Sequence, residues 1–375
     1  MKRLVLLLLL LLSAVTGRAM AAVNSNIPDS LSVKIGQMVM VGFRGCSLAE
    51  APDVAGSITR QHIGGVVLFD YDMPTRSYGR NIKNAEQLAR LCNDLQQLSS
   101  IPLLIAIDQE GGRVSRLKTS CGFPPTISAA ALGALDSPDS TRAVTTRSVA
   151  LLHQLHIGMN FAPVADINSN PDNPVIGRLD RSYSADPQVV TAMIRLMLPI
   201  YRNHGVVPVL KHFPGHGSST ADSHLGFTDV TATWNDDELL PYRELVDEGY
   251  DGAIMTAHVF NARLDGSFPA TISTSTLDGL LRQRIGFDGV IVSDDMQMKA
   301  IADHYGLEVA IERAILAGVD ILLFANNSSY EPDIAERTIS IIRSLIATGR
   351  ITPDRIDRSY NRIIALKQRY SSPRP

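Results

Sequence analysis

HGVVPVLKH, residues His204 to His212, sets the pattern from which the fold can be read. A helical-looking stretch ends at Gly205, an apolar run follows through Leu210, and Lys211-His212 stops it. Glycine suits a helix C-terminus because it enters the left-handed region without a steric cost. A continuous apolar run, rather than an alternating one, marks a strand buried on both faces, as in a parallel sheet.

The same phrase recurs along the chain. His62-Ile63-Gly64-Gly65 leads into Val66–Phe69 and stops at Asp70, and Ile101–Ile107 stops at Asp108. Ile157-Gly158 leads into Asn160–Val164 and stops at Asp166. Glu248-Gly249 leads to Ala253–Met255 and stops at His258, and Ile285-Gly286 leads to Val290–Val292 and stops at Asp294-Asp295. Ala317-Gly318 leads to Ile321–Phe324 and stops at Asn326. Gln37–Phe43 supplies a first strand, which makes eight. Amphipathic helices are predicted between them over Ala85–Leu98, Thr141–Leu155, Gln188–Asn203, Asp236–Asp247 and Ile334–Ile346, with one more over Pro353–Tyr370. The alternation predicts a single-domain α/β protein, a (β/α)8 TIM-type barrel. No G-x-G-x-x-G or Walker-type loop follows any strand, which argues against a nucleotide site.

Composition narrows the function classes. The 375 residues are 45% hydrophobic and 19% charged, with a net charge of −3, which is not the basic surface of a nucleic-acid binder. Met1-Lys2-Arg3, the apolar run Leu4–Val15 and the small-x-small Ala19-Met20-Ala21 read as a secretory signal peptide over residues 1–21. The run is shorter than the roughly 20 residues of a membrane span. The expectation is therefore an exported protein, periplasmic or secreted, with no stable membrane span and a catalytic domain over residues 22–375. A monomer is expected. Cys46, Cys92 and Cys121 match no metal spacing and read as small buried hydrophobes.

In a barrel of this kind the active site lies at the C-terminal strand ends, so Asp108, Asp166, Lys211, His212, His258 and Asp294 are first candidates. The segment KHFPGHGSSTADSHLGF, Lys211 to Phe227, is the densest in titratable groups. His212 and His216 are four apart, but Pro214, Gly215 and Gly217 forbid the helix that would make this a metal pair. No catalytic-zinc spacing is present, so neither metal nor cofactor is expected. Asp222 and His224 lie two apart, where a carboxylate can hydrogen-bond one imidazole nitrogen, fix its tautomer and favour its cation. A histidine so paired can give a proton to a leaving group and recover one from water.

Lys211–Gly217 with Asp222-Ser223-His224 resembles the signature of bacterial β-N-acetylglucosaminidases of glycoside hydrolase family 3. Ile107–Val114, Ile291–Met296 and Asn173–Gly177 followed by Arg181-Ser182-Tyr183 are similar to three further family motifs, in family order across roughly residues 30–370. The resemblance implies a retaining exo-glycosidase acting on a glycan with terminal N-acetylglucosamine, such as a peptidoglycan fragment or a chito-oligosaccharide. It implies Asp294 as nucleophile and His224, oriented by Asp222, as acid/base. It assigns sugar recognition to Asp108, Arg116, Arg181, Lys211 and His212. Arg178 competes with Arg181 for that role, and the Arg-Ser-Tyr context favours Arg181. Asp295, beside the nucleophile, is expected to cap a helix over Met296–Leu316. Alternatives to N-acetylglucosaminide hydrolysis are a phosphorylase, since histidine would not repel phosphate, a β-glucosidase, and a non-catalytic glycan-binding barrel.

Overall fold

The computed structural model describes residues 29–223 and 226–371; the predicted signal peptide and His224 lie outside the described residues. Eight parallel strands form the barrel: β1 Val39–Gly42, β2 Gly65–Leu68, β3 Leu104–Ile107, β4 Met159–Asn160, β5 Val207–Phe213, β6 Ala253–Thr256, β7 Val290–Val292 and β8 Leu322–Phe324. Each hydrogen-bonds to its neighbour in sequence, and β1 pairs with β8. The ring closes where Val292 bridges Ile321, with Asp320 and Ile321 N–H both donating to the Ile291 carbonyl. Every residue of these strands is buried, as continuous apolar runs require.

Helices cover the outside, among them α1 Asp29–Gln37, α2 Pro52–Gln61, α3 Ala85–Gln97, α4 Pro138–Gln154 and α5 Pro187–Asn203. Further along come α6 Leu240–Asp247, α7 Lys299–Tyr305, α8 Leu307–Ala317, α9 Ile334–Ala347 and α10 Pro353–Ser371. Gly205 takes the left-handed φ of 66° expected after α5, whereas His62 and His156 fill that role after α2 and α4.

Three elements depart from the sequence reading. The fourth strand is two residues long because Pro163 has no N–H for the ladder; pairing resumes only at the Val164–Lys211 bridge. The helix expected over Asp236–Asp247 opens as a 3-10 turn, Asp236–Leu239, before α6. The helix expected over Met296–Leu316 is two helices, α7 and α8, separated at Gly306 with φ 71° and ψ 157°.

At the base of the barrel, Asp320 is fully buried and accepts from Arg282 Nη2 (2.7 Å), Ser359 Oγ (2.6 Å) and Ile291 N (3.0 Å). This ties α10 to the closure between β7 and β8. Lys367 of α10 donates to Gln37 Oε1 of α1 (2.6 Å) and to the Gly64 carbonyl (2.9 Å). Burial pulls the Lys367 amine down to about 7. The three cysteines are unpaired; Cys46 and Cys92 are buried and Cys121 half-buried. Among the described residues no helix is long and apolar enough to cross a membrane.

Candidate active site

The C-terminal strand ends converge on one mouth. Lys211, on β5, reaches toward β3 and places Nζ 2.8 Å from Asp108 Oδ1 and 2.7 Å from Glu110 Oε1. Arg116 Nη2 lies 3.2 Å from the other Asp108 oxygen. Arg181 lays its guanidinium fork on Glu110, Nε to Oε2 at 2.8 Å and Nη2 to Oε1 at 2.7 Å. Arg181 Nη1 donates to the Val175 carbonyl, and its Nη2 is 3.3 Å from His212 Nε2. Burial opposes ionisation of Asp108 and Glu110, but Lys211 with Arg116 outweighs it at Asp108. Arg181 and Lys211 outweigh it at Glu110, so both carboxyls sit below their ordinary range. The five residues proposed for sugar recognition thus come together. Arg178 does not join them; it is exposed and faces Asp172 at 3.4 Å.

Sequence reasoning gave no role to Glu110 and left Asp166 as a bare strand-end candidate. Fully buried Asp166 accepts from His212 Nδ1 (2.6 Å), from His212 N and from His216 N (2.8 Å). Burial raises its pKa, but the contacts with His212 and His216 together outweigh burial and hold it at about 2. Since Asp166 takes His212 Nδ1, Nε2 is the atom left facing Arg181. The only signal in the sequence was the position of Asp166 after the fourth apolar run.

The nucleophile candidate Asp294 follows β7 and is half-buried. Its N–H donates to Thr256 Oγ1 (3.3 Å), and its Oδ1 accepts from Asp295 N (2.8 Å). Asp295 does not cap a helix as expected. Its Oδ1 accepts from Gln297 N (3.1 Å) and Ala325 N (2.9 Å), which binds the turn to the end of β8. Helix α7 starts later, at Lys299, with no side-chain cap. His258 is buried, and its Nε2 donates to the Asp295 carbonyl at 2.9 Å, so it supports this turn from below.

The loop after β5 starts from a tightly held base. Asn173 Nδ2 donates to the His216 and Gly217 carbonyls, and Asn170 Nδ2 to the Ser219 carbonyl. Gly217 N donates to Glu238 Oε2 at 3.0 Å. Burial pushes the Glu238 carboxyl up to about 8, so the folded chain keeps it neutral where an unfolded chain ionises it near 4.5. That stabilising contribution is whole below about pH 4.5 and is lost as pH rises through about 8. Unfolding of Glu238→Gln between pH 5 and 8 is expected to show a shallower fall, by up to about 1.4 kcal/mol per pH unit. Parallel denaturant titrations check it, and parallel slopes would overturn it. Asp222 is half-buried on this loop. Its predicted partner His224 lies outside the described residues. Among the described residues, no group of three His, Cys, Asp or Glu side chains could hold a metal.

The family model for the glycosyl hydrolase family 3 N-terminal domain matches residues 30–366. The chain belongs to glycoside hydrolase family 3. This family 3 chain is 33% identical over 383 residues to beta-hexosaminidase A of Pseudoalteromonas piscicida, covering 92% of this chain and 62% of that protein. It is 34% identical over 355 residues to beta-hexosaminidase LpqI of Mycobacterium tuberculosis, covering 92% and 84%. Its fold matches the family 3 beta-N-acetylglucosaminidase of Paenibacillus sp. str. FPU-7 with a TM-score of 0.82 at 37% identity, over 91% of this chain and 62% of that one. The beta-N-acetylhexosaminidase of Beutenbergia cavernae matches with a TM-score of 0.80 at 29% identity, over 92% and 100%. The chain therefore spans 62% of the length of the Pseudoalteromonas relative and of the Paenibacillus structure, and the full length of the Beutenbergia one.

Proposed function

We propose that this family 3 chain is a retaining exo-β-N-acetylglucosaminidase that removes terminal, non-reducing β-linked N-acetylglucosamine. The observation that carries the reading is one mouth holding two unlike carboxylate environments. Asp108 is locked between Lys211 and Arg116, suited to hydroxyl recognition, while Asp294 stands half-buried on the turn after β7. The names of the relatives support the sugar. Asp108 can accept from two ring hydroxyls, and Arg116, Arg181, Lys211 and His212 suit sugar oxygens and the N-acetyl carbonyl.

In this reading Asp294 attacks the anomeric carbon as the glycosidic bond breaks, and His224, oriented by Asp222, protonates the departing oxygen. His224 then takes a proton from water, whose oxygen displaces Asp294 and leaves the sugar with retained configuration. The signal-like N-terminus supports an exported enzyme meeting peptidoglycan fragments or chito-oligosaccharides outside the cytoplasm.

Incubation with chitobiose and with muropeptides, with and without phosphate and followed by NMR, tests this. The expected first product is β-N-acetylglucosamine; sugar-1-phosphate would replace hydrolysis by phosphorolysis, and binding without cleavage would leave a glycan-binding barrel. Faster release from a glucoside than from an N-acetylglucosaminide would replace the sugar assignment. Activity is expected to survive EDTA; its loss, with rescue by zinc, would instead put a metal among His216, Asp222 and His224 of the loop after β5.

A further inference from the structure

His216 belongs to the family-like segment, yet the mechanism gives it no task. Its surroundings supply one. The backbone of residues 216–219 is held from several sides, by Asp166 on His216 N, by Asn173 and Asn170 on the carbonyls, and by Glu238 on Gly217 N. The chain then runs to the surface at Thr220 and Ala221 and returns to a buried position at Ser223. His216 spans that excursion. Its Nδ1 lies 2.7 Å from Ser219 Oγ and its Nε2 lies 3.1 Å from Ser223 Oγ, with all three side chains buried. Its ring meets His212 edge to face at 5.8 Å, which places it against the sugar-binding cluster.

We propose that His216 is a positioning residue that fixes the reach of the acid/base pair by joining the clamped base of the loop to Ser223, the residue between Asp222 and His224. The proposal rests on the acid/base reading above. Burial, and secondarily His212, lower the His216 pKa to about 4. The ring is therefore neutral at working pH, one nitrogen donating and the other accepting. Serine hydroxyls can both donate and accept, so each can complement either nitrogen. Displacing a catalytic group by about 1 Å costs on the order of 100-fold, and general acid catalysis supplies about 10²- to 10⁴-fold in all. Losing the bridge is therefore felt most where the leaving group needs a proton.

The test compares two N-acetylglucosaminides, one with a 4-methylumbelliferyl leaving group and one with 2,4-dinitrophenyl, which departs without protonation. His216→Ala is expected to lower kcat/KM about 10- to 100-fold on the first and less than about threefold on the second. Azide should raise its turnover of the second by forming the β-glycosyl azide. Ser223→Ala, which leaves the His216–Ser219 contact in place, should show the same asymmetry at smaller size and covers the case in which His216→Ala does not fold. Equal losses on the two substrates, or no loss on either, would overturn the proposal. Asp222→Ala in the same assay keeps the two levels apart: if it shows no leaving-group dependence, the acid/base reading fails and the inference falls with it.

Discussion

Asp294→Ala is expected to lose hydrolysis of N-acetylglucosaminides by on the order of 10⁴-fold or more, with its melting temperature nearly unchanged. Losing the nucleophile removes the covalent path altogether, whereas losing an acid/base partner leaves activated substrates to react. Stability should hold because Asp294 is half-buried and sits beyond the apolar run of β7, while Asp295 and His258 hold the turn. The chemical signature is stereochemical. With the carboxylate gone, azide can enter from the vacated face and yield the α-glycosyl azide, opposite to the β-product expected of the His216 and Asp222 variants. Near-normal turnover would remove Asp294 from the mechanism; loss of activity without the α-azide from an activated substrate would leave it a supporting role.

Glu110→Ala is expected to destabilise the fold by about 3–5 kcal/mol, because it strips one carboxylate from between two buried cations. The Glu110 side chain is 4% exposed, Lys211 2% and Arg181 10%. Lys211 would keep Asp108, and among the described residues Arg181 would keep hydrogen bonds to the Val175 carbonyl and His212 Nε2. A cation left underpaired in the interior keeps its desolvation cost without its attraction. Denaturant unfolding at neutral pH reads the loss. Glu110→Gln should fall between wild type and Glu110→Ala, since it keeps shape and hydrogen bonding but not charge. A change under about 1 kcal/mol for Glu110→Ala would show that water or rearrangement replaces the carboxylate.

The contrast between these two residues shows what the sequence could reveal. Asp294 was legible because a parallel barrel needs apolar strands, and a polar residue ending such a run must stand at an end of the barrel. The same logic located Asp108, Lys211 and His212. Glu110 has no such signature: its partners lie 71 and 101 residues away, and only the barrel geometry brings them within 3 Å. The His216 bridge escaped for a related reason, since its meaning depends on a chain excursion that residue spacing does not encode. The break between α7 and α8 was carried by one glycine inside an otherwise helical run, where glycine is often tolerated. The short β4 followed from Pro163, whose missing N–H was visible but whose effect on the ladder depended on where the neighbouring strand lay.

The stitching of α10 beneath the barrel also settles how the molecule can be held. Lys367 grips the end of α1 and the entry to β2, and Tyr370 Oη reaches Asp251, just before β6. Helices α1 and α10 therefore meet on the side away from Asp108, Lys211 and Asp294. A bead, electrode or chip coupled behind Ser371 would carry the protein with its mouth turned outward, open to glycans too large to reach a face laid against the support.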